Sequence, residues 1–167
     1  MQKSDNQIFT IGHGNRKIDL FKFMLKQHNI QLLIDVRTFP YSRFHPQFNK
    51  ARLEAALNEE DISYLHLGKE LGGRPENPEL YINGKVSYDA IKQTELFKSG
   101  IAKVIALVKQ EIKVTLTLMC SESDQNNCHR KHLIADELIA AGIEVLHIDK
   151  EGKLVKEIVT AQPNLFA

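Results

Sequence analysis

Residues Leu118 to His132 read Leu-Met-Cys-Ser-Glu-Ser-Asp-Gln-Asn-Asn-Cys-His-Arg-Lys-His and hold both cysteines of the chain, two of its seven histidines and an arginine. Cysteine attacks as the thiolate, and its pKa falls beside cations and at helix N-termini. Cys128 stands where a helical pattern begins, with Arg130 and His132 just behind it, and is the candidate nucleophile. Cys120 ends an apolar run and reads as the inert, buried thiol. Glu122 and His13 supply a carboxylate and an imidazole suited to proton transfer on a bound ligand. Each has a bland reading: Cys128 as a cap or packing residue, Glu122 as a dipole contact at a helix start. For His129, placed in the ligand-binding set, the bland reading is a solvated side chain.

Other chemistries fit the spacing less well. Arg130 lies ten residues beyond Cys120 and two beyond Cys128, so the Cys-x5-Arg loop of cysteine phosphatases and rhodanese-like sulfurtransferases is missing and a phosphocysteine mechanism is disfavoured. Cys120, Cys128, His129 and His13 lack the close ligand pairs of familiar zinc modules, and no metal is assigned. A dithiol switch between Cys120 and Cys128 is sterically possible, although no Cys-x-x-Cys motif supports it.

These residues need a scaffold that gathers them. Ile8–Ile11, Ile30–Val36, Ile62–Leu67, Val114–Met119 and Ile143–Ile148 read as five strands, and Glu151-Gly-Lys as a turn into a last short one. Helical stripes follow the first at Leu20, Phe21, Met24 and Leu25 and the second at Leu53, Ala56 and Leu57. Gly68 to Lys85 reads as a loop or lid, and Ser87 to Gln110 as a helical region broken near Gly100. A further helix runs through Leu133, Ile134, Leu138 and Ile139 to Gly142. The pattern predicts a three-layer α/β fold, Rossmann-like, with a mostly parallel central sheet and helices on both faces. The expected strand order is 3-2-1-4-5, which puts the loops at Gly12 and Cys120 face to face where ligands usually bind.

The arginines support that placement. Of six, Arg16, Arg37, Arg43, Arg74 and Arg130 fall in or just beyond the loops after the first four strands, and Arg52 alone does not. Arginine's planar fork suits phosphates and carboxylates, so one sheet edge reads as an anion-binding rim. Asp35, at the end of the second strand, can orient a catalytic group or hold Arg37, and an ion pair within Asp35-Val-Arg37 is the stronger reading. The loop from Arg37 to Lys50 interleaves Phe39, Tyr41, Phe44 and Phe48 with Arg37 and Arg43, a pattern that stacks bases and pairs phosphates. An accessible Tyr41 and Phe44 would favour that use.

At 167 residues, 43% hydrophobic and 26% charged, the chain is expected to be one domain, 1–167, with a proper core. The polar Met-Gln-Lys-Ser-Asp-Asn start lacks an apolar signal region, and no apolar run approaches a membrane span, so a soluble cytoplasmic protein is expected. A net charge of +1 selects no partner class.

Thr10-Ile-Gly-His13, Asp35-Val-Arg37, Pro40-Tyr-Ser42, Gln47-Phe-Asn, Leu71-Gly-Gly73, Leu118-Met-Cys120-Ser-Glu122 and Cys128-His-Arg130 together resemble the family called domain of unknown function 488, from about residue 8 to residue 148. The resemblance implies a single three-layer α/β domain and carries no established activity. Members often have serine after the glycine-histidine pair, where this chain has Gly14, a residue that lets backbone N–H groups approach an anion.

The expected function is an enzyme acting on a phosphorylated small molecule, a nucleotide or a nucleic-acid end. Glu122, His13 and Cys128 are its expected reactive groups, and Gly12, Gly14, Asp35, Arg37, Arg43, Cys120, His129 and Arg130 its ligand-binding ones. The alternative is a noncatalytic module that binds nucleotide or nucleic acid on the same rim. The motifs name no cofactor.

Overall fold

β1 (Gln7–Gly12) is apolar on both faces, as a strand covered from two sides must be. Alternate residues serve opposite layers: Ile8 packs into one hydrophobic cluster, Phe9 and Ile11 into the other. The computed structural model describes residues 6–158, and almost all of the polar N-terminal stretch lies outside them. With β1, the strands β2 (Leu32–Asp35), β3 (Ser63–His66), β6 (Leu116–Cys120), β7 (Glu144–Ile148) and β8 (Leu154–Lys156) form one sheet. Its order is β3-β2-β6-β1-β7-β8, and all pairs are parallel except β7 with β8.

On one face lie α1 (Ile18–Gln27) and α2 (Lys50–Asn58), whose Phe21, Met24, Leu25, Leu53 and Leu57 meet Phe9, Ile11, Leu33 and Met119. The other face carries α3 (Gly68–Leu71), α4 (Tyr88–Gln93), α5 (Glu95–Lys109) and a last helix that starts as a π-turn at Arg130–Ala135 and continues as α6 (Asp136–Ala140). There Val104, Val108, Leu133 and Leu138 close over Ile34, Leu118 and Val145. Each such buried side chain contributes roughly 1.5–3 kcal/mol by burial, so both layers hold the sheet firmly. No helix among the described residues is long and apolar enough to cross a membrane.

Three sequence expectations are corrected. The fourth strand of the sequence reading, β6, sits between the first and second, so the order among those five is 3-2-4-1-5 and not 3-2-1-4-5. All five β6 residues are buried, as a strand flanked on both edges and covered on both faces requires. The stretch read as a loop or lid contains a hairpin, β4 (Tyr81–Ile82) and β5 (Lys85–Val86). Its Asn83 and Gly84 have φ of 51° and 74°, the positive pair that a type I′ turn needs. The 87–110 helical region breaks at Thr94, whose hydroxyl caps α5 by accepting from Phe97 N at 3.2 Å. Gly100 instead lies inside α5, where a side chain would run into Glu70 and Leu71.

Candidate active site

Strand order decides which loops meet. β6 has β1 on one edge and β2 on the other, so Cys120 stands opposite Gly12 while Met119 stands opposite Asp35. The ladder runs on past the strand ends: His13 N donates to Cys120 O and Gly14 N to Ser121 O, each at 2.9 Å, and Val36 N donates to Met119 O at 3.0 Å. The approach at Gly12 is so close that a Cβ there would collide with the Glu122 carbonyl. Glycine is therefore needed for contact between loops. The Gly12 and Gly14 loop supplies shape, with the Gly14 amide already engaged.

A pocket of about 320 Å³ opens at this edge. Cys120, Cys128, His129, His13 and Arg37 line it, with Glu122 and Ser121 on one side. Thr38, Phe39, Tyr41, Ser42, Gly73, Arg74, Tyr88 and Asn127 complete the wall.

Cys128 has extended backbone (φ −125°, ψ 144°), and the helix starts immediately after it. Its carbonyl accepts from Lys131 N at 3.1 Å and its sulfur from Arg130 N at 3.4 Å, so Cys128 occupies the cap position with sulfur as the capping atom. The Arg130 Nε–H adds a second donor at 3.3 Å, and His129 Nδ1 lies 3.7 Å from the sulfur. His129 Nε2–H is committed to Val36 O at 3.1 Å, which fixes the ring with Nδ1 toward the thiol. The neighbouring Cys120 thiol, more than any other group, holds the Cys128 thiol well below the ordinary cysteine range, while the Cys120 S–H itself donates to Glu122 O at 3.7 Å. His129 and the Arg130 charge act in the same direction, against burial. Cys120 moves the other way: burial first, and the neighbouring Cys128 with it, push its thiol well above the ordinary cysteine range. The two sulfurs in this pocket are thus driven in opposite directions, Cys128 toward thiolate and Cys120 toward thiol.

Arg130 is fully buried and lies behind the thiolate, away from the pocket lining. Its Nη2 donates to Glu122 O at 2.8 Å and its Nη1 to Thr10 Oγ1 at 3.3 Å. Thr10 in turn lies 2.6 Å from His147 Nδ1, and His147 Nε2 2.8 Å from Glu157 Oε2. A buried polar chain therefore runs from the Cys128 sulfur to Glu157, on the segment after β8. Sequence reasoning missed Thr10, His147 and Glu157. The available signals were a threonine and a histidine inside otherwise apolar strands.

Arg37 is similarly committed. Asp35 Oδ1 and Oδ2 accept from Arg37 Nε and Nη2 at 2.9 and 2.7 Å, Phe48 O accepts from Nη2 at 2.8 Å, and Nη1 faces His13 Nε2 at 3.4 Å. Tyr64 O–H also donates to Asp35 Oδ2 at 2.7 Å. Asp35 is therefore out of reach of a ligand, and its role is to hold Arg37. His13 stacks on Phe48 with ring centroids 4.3 Å apart and donates from Nδ1 to Gly14 O at 2.7 Å. Burial first, and the Arg37 charge with it, lowers its pKa to about 4, so it faces the pocket as neutral imidazole at neutral pH.

The remaining arginines divide cleanly. Arg16 is tied to the carbonyls of Gly12 and Asp149. Arg43 is exposed but outside the pocket lining, and so is Arg52, on α2. Arg74 is the pocket-lining guanidinium that makes no ion pair among the described residues. Glu122 reaches the pocket with an exposed side chain while its carbonyl serves Arg130.

Two of the sequence motifs, Asp35-Val-Arg37 and Cys128-His-Arg130, thus have distinct structural roles, and both fall within residues 17–137. The family model described as domain of unknown function DUF488 matches that span, well over half of the chain. The chain belongs to the DUF488 family. Thr10-Ile-Gly-His13 precedes the DUF488 match, yet the fold brings it against the matched Cys120 and Arg130. No curated protein and no solved structure matches the chain.

Proposed function

We propose that this DUF488 protein is a thiol-dependent enzyme in which the Cys128 thiolate attacks an electrophilic centre of a small anionic ligand, a phosphorylated metabolite or nucleotide. The observation that carries the reading is the convergence of Arg130 N–H, Arg130 Nε–H and His129 Nδ1 on one sulfur in a pocket that Cys120 also lines. A thiolate held ready beneath a ligand-sized cavity suits nucleophilic catalysis. Of these residues, Arg130 acts through Cys128 and not on the ligand. With Nε2–H held by Val36 O, a second proton on His129 Nδ1, present only in the imidazolium, would lie between nitrogen and sulfur, available to a leaving group. Arg74 at the mouth is the group to receive the anion, and neutral His13 and exposed Glu122 are the candidates for proton transfer. The reading is tested by ligand protection. Inorganic phosphate and AMP at millimolar concentration are expected to slow alkylation of Cys128 by iodoacetamide in the native protein but not in Arg74→Ala. Equal rates with and without both compounds would contradict it.

A nucleic-acid end, or a noncatalytic nucleic-acid module, is the second reading, favoured by the aromatics of the loop after β2. Phe39, Tyr41 and Phe44 are 58%, 69% and 83% exposed, beside exposed Arg43 and the rim residue Arg74. Exposed rings interleaved with arginines can stack bases and pair phosphates.

A further inference from the structure

We propose that Cys128 and Cys120 are an attacking and resolving pair that reduces a small organic disulfide bearing an anionic group, ending as an intramolecular disulfide. The inference deepens the proposed function and rests on it: it names the electrophile as divalent sulfur.

Two features of the fold carry it. Both sulfurs line the same pocket and belong to one buried cluster, although the two residues are eight apart in sequence, and Arg130 links them: its Nε–H reaches the Cys128 sulfur and its Nη2 the Glu122 carbonyl that accepts from Cys120. The intervening loop is built to return. Asp124 Oδ1 accepts from Asn126 N at 2.9 Å and Cys128 N donates to Gln125 O at 3.2 Å, folding a short 3-10 turn that brings Cys128 back over the end of β6. A disulfide requires the two Cβ atoms to come within about 4 Å, and two buried thiols that line one pocket on a folded-back loop are placed for that approach. An acyl or phosphoryl adduct on Cys128 would be completed by water, and the second thiol would have no part in it. A mixed disulfide is resolved by a neighbouring thiol, and Cys120 is that neighbour.

The step balances as follows. Cys128 S⁻ attacks one sulfur of R–S–S–R′; the bond to Cys128 forms, the substrate S–S bond breaks and R′–S⁻ leaves. Cys120 then attacks the Cys128 sulfur; the Cys120–Cys128 bond forms, the Cys128–SR bond breaks, and the Cys120 proton leaves with R–SH. Two electrons pass from the protein dithiol to the substrate. A second turnover requires an external thiol reductant. Arg74, with Tyr41 and Tyr88 beside it in the wall, favours an anionic and preferably aromatic R group.

The test uses the aromatic, carboxylate-bearing disulfide 5,5′-dithiobis(2-nitrobenzoate) on the reduced full-length protein, read by absorbance and intact mass. Native protein is expected to release two equivalents of chromophore and finish with no adduct, lighter by two hydrogens. Cys120→Ser is expected to release one equivalent and retain the adduct on Cys128, and dithiothreitol should reverse both products. Native protein that keeps one adduct after one equivalent, or carries an adduct on each cysteine, would overturn the resolving role while leaving Cys128 as a nucleophile. Failure of Cys128 to react at all in the folded protein would overturn the proposed function as well. Because serine keeps a small polar O–H at position 120, a merely structural or electrostatic role for Cys120 predicts that native and Cys120→Ser proteins end in the same adduct, and that result also overturns the pair.

Discussion

Arg130 meets the Cys128 sulfur twice, with its backbone N–H at 3.4 Å and its guanidinium Nε–H at 3.3 Å. One residue thus supplies the helix-start amide and the compensating charge, and its two remaining nitrogens are fixed by Thr10 and the Glu122 carbonyl. Replacing it by methionine keeps the bulk and the amide but removes the charge. Arg130→Met is expected to raise the Cys128 pKa toward the ordinary cysteine value and to cost about 3–5 kcal/mol, the range for breaking a buried ion pair. Thiol titration followed by mass spectrometry and denaturant unfolding check the two parts. Arg130→Lys is expected not to restore the titration, because a point charge cannot reproduce the fork.

The Asp35 and Arg37 pair is predicted to be structural before it is functional. Arg37→Ala leaves a fully buried Asp35 carboxylate with Tyr64 and the Arg37 backbone N–H as its remaining partners. A loss of about 3–5 kcal/mol in unfolding free energy is expected. Loss of ligand protection without loss of stability would instead place Arg37 on the ligand.

His13 gives the protein a pH-dependent stability of known sign. Its folded pKa, about 4, lies below the ordinary histidine value of 6.5, because burial disfavours the charged ring. The unfolded chain therefore binds the extra proton first as the pH falls. The contribution is fully present above the unfolded pKa and is lost between that value and the folded one, amounting to about 3 kcal/mol at most. His13→Gln is expected to flatten that part of the profile in denaturant titrations from neutral to acidic pH. A parallel profile in the variant would refute the assignment.

Arg74 separates the two functional readings. If it receives an anion, Arg74→Ala should weaken binding of AMP by about 1.5–3 kcal/mol with little change in stability. Single-stranded oligonucleotides compared with AMP at two salt concentrations then decide between them. A contact spanning several phosphates loses affinity steeply with salt, whereas a pocket for one phosphate loses little. Loss of oligonucleotide affinity in Tyr41→Ala and Phe44→Ala, without change for AMP, would favour the module.

Much of this site is legible in the residue types. Cys128 at a helix start and the alternation of strands and helices follow from local pattern, whereas the meeting of the Gly12 and Cys120 loops was expected from a strand order that shares only that neighbour pair of β6 with the observed one. The place of β6 does not, because an interior parallel strand is apolar on both faces and its sequence says nothing about which neighbours it takes. The fate of the arginines is likewise a tertiary property. Arg37 and Arg130 occupy loop-and-helix-start positions like those of ligand-binding arginines, but one is claimed by Asp35 and a carbonyl, the other by a thiolate, a hydroxyl and a carbonyl. The Asn83-Gly84 hairpin was readable, since that dipeptide is a strong local signal for a two-residue turn.

The central claim is that Cys128 is a thiolate in the folded protein at neutral pH. Its most direct test is the rate of iodoacetamide alkylation at Cys128 as a function of pH, resolved from Cys120 by peptide mass spectrometry. The account predicts a rate already at its plateau at neutral pH, with Cys120 nearly inert across the same range. A Cys128 rate that climbs with an ordinary cysteine titration, in step with Cys120, would contradict it.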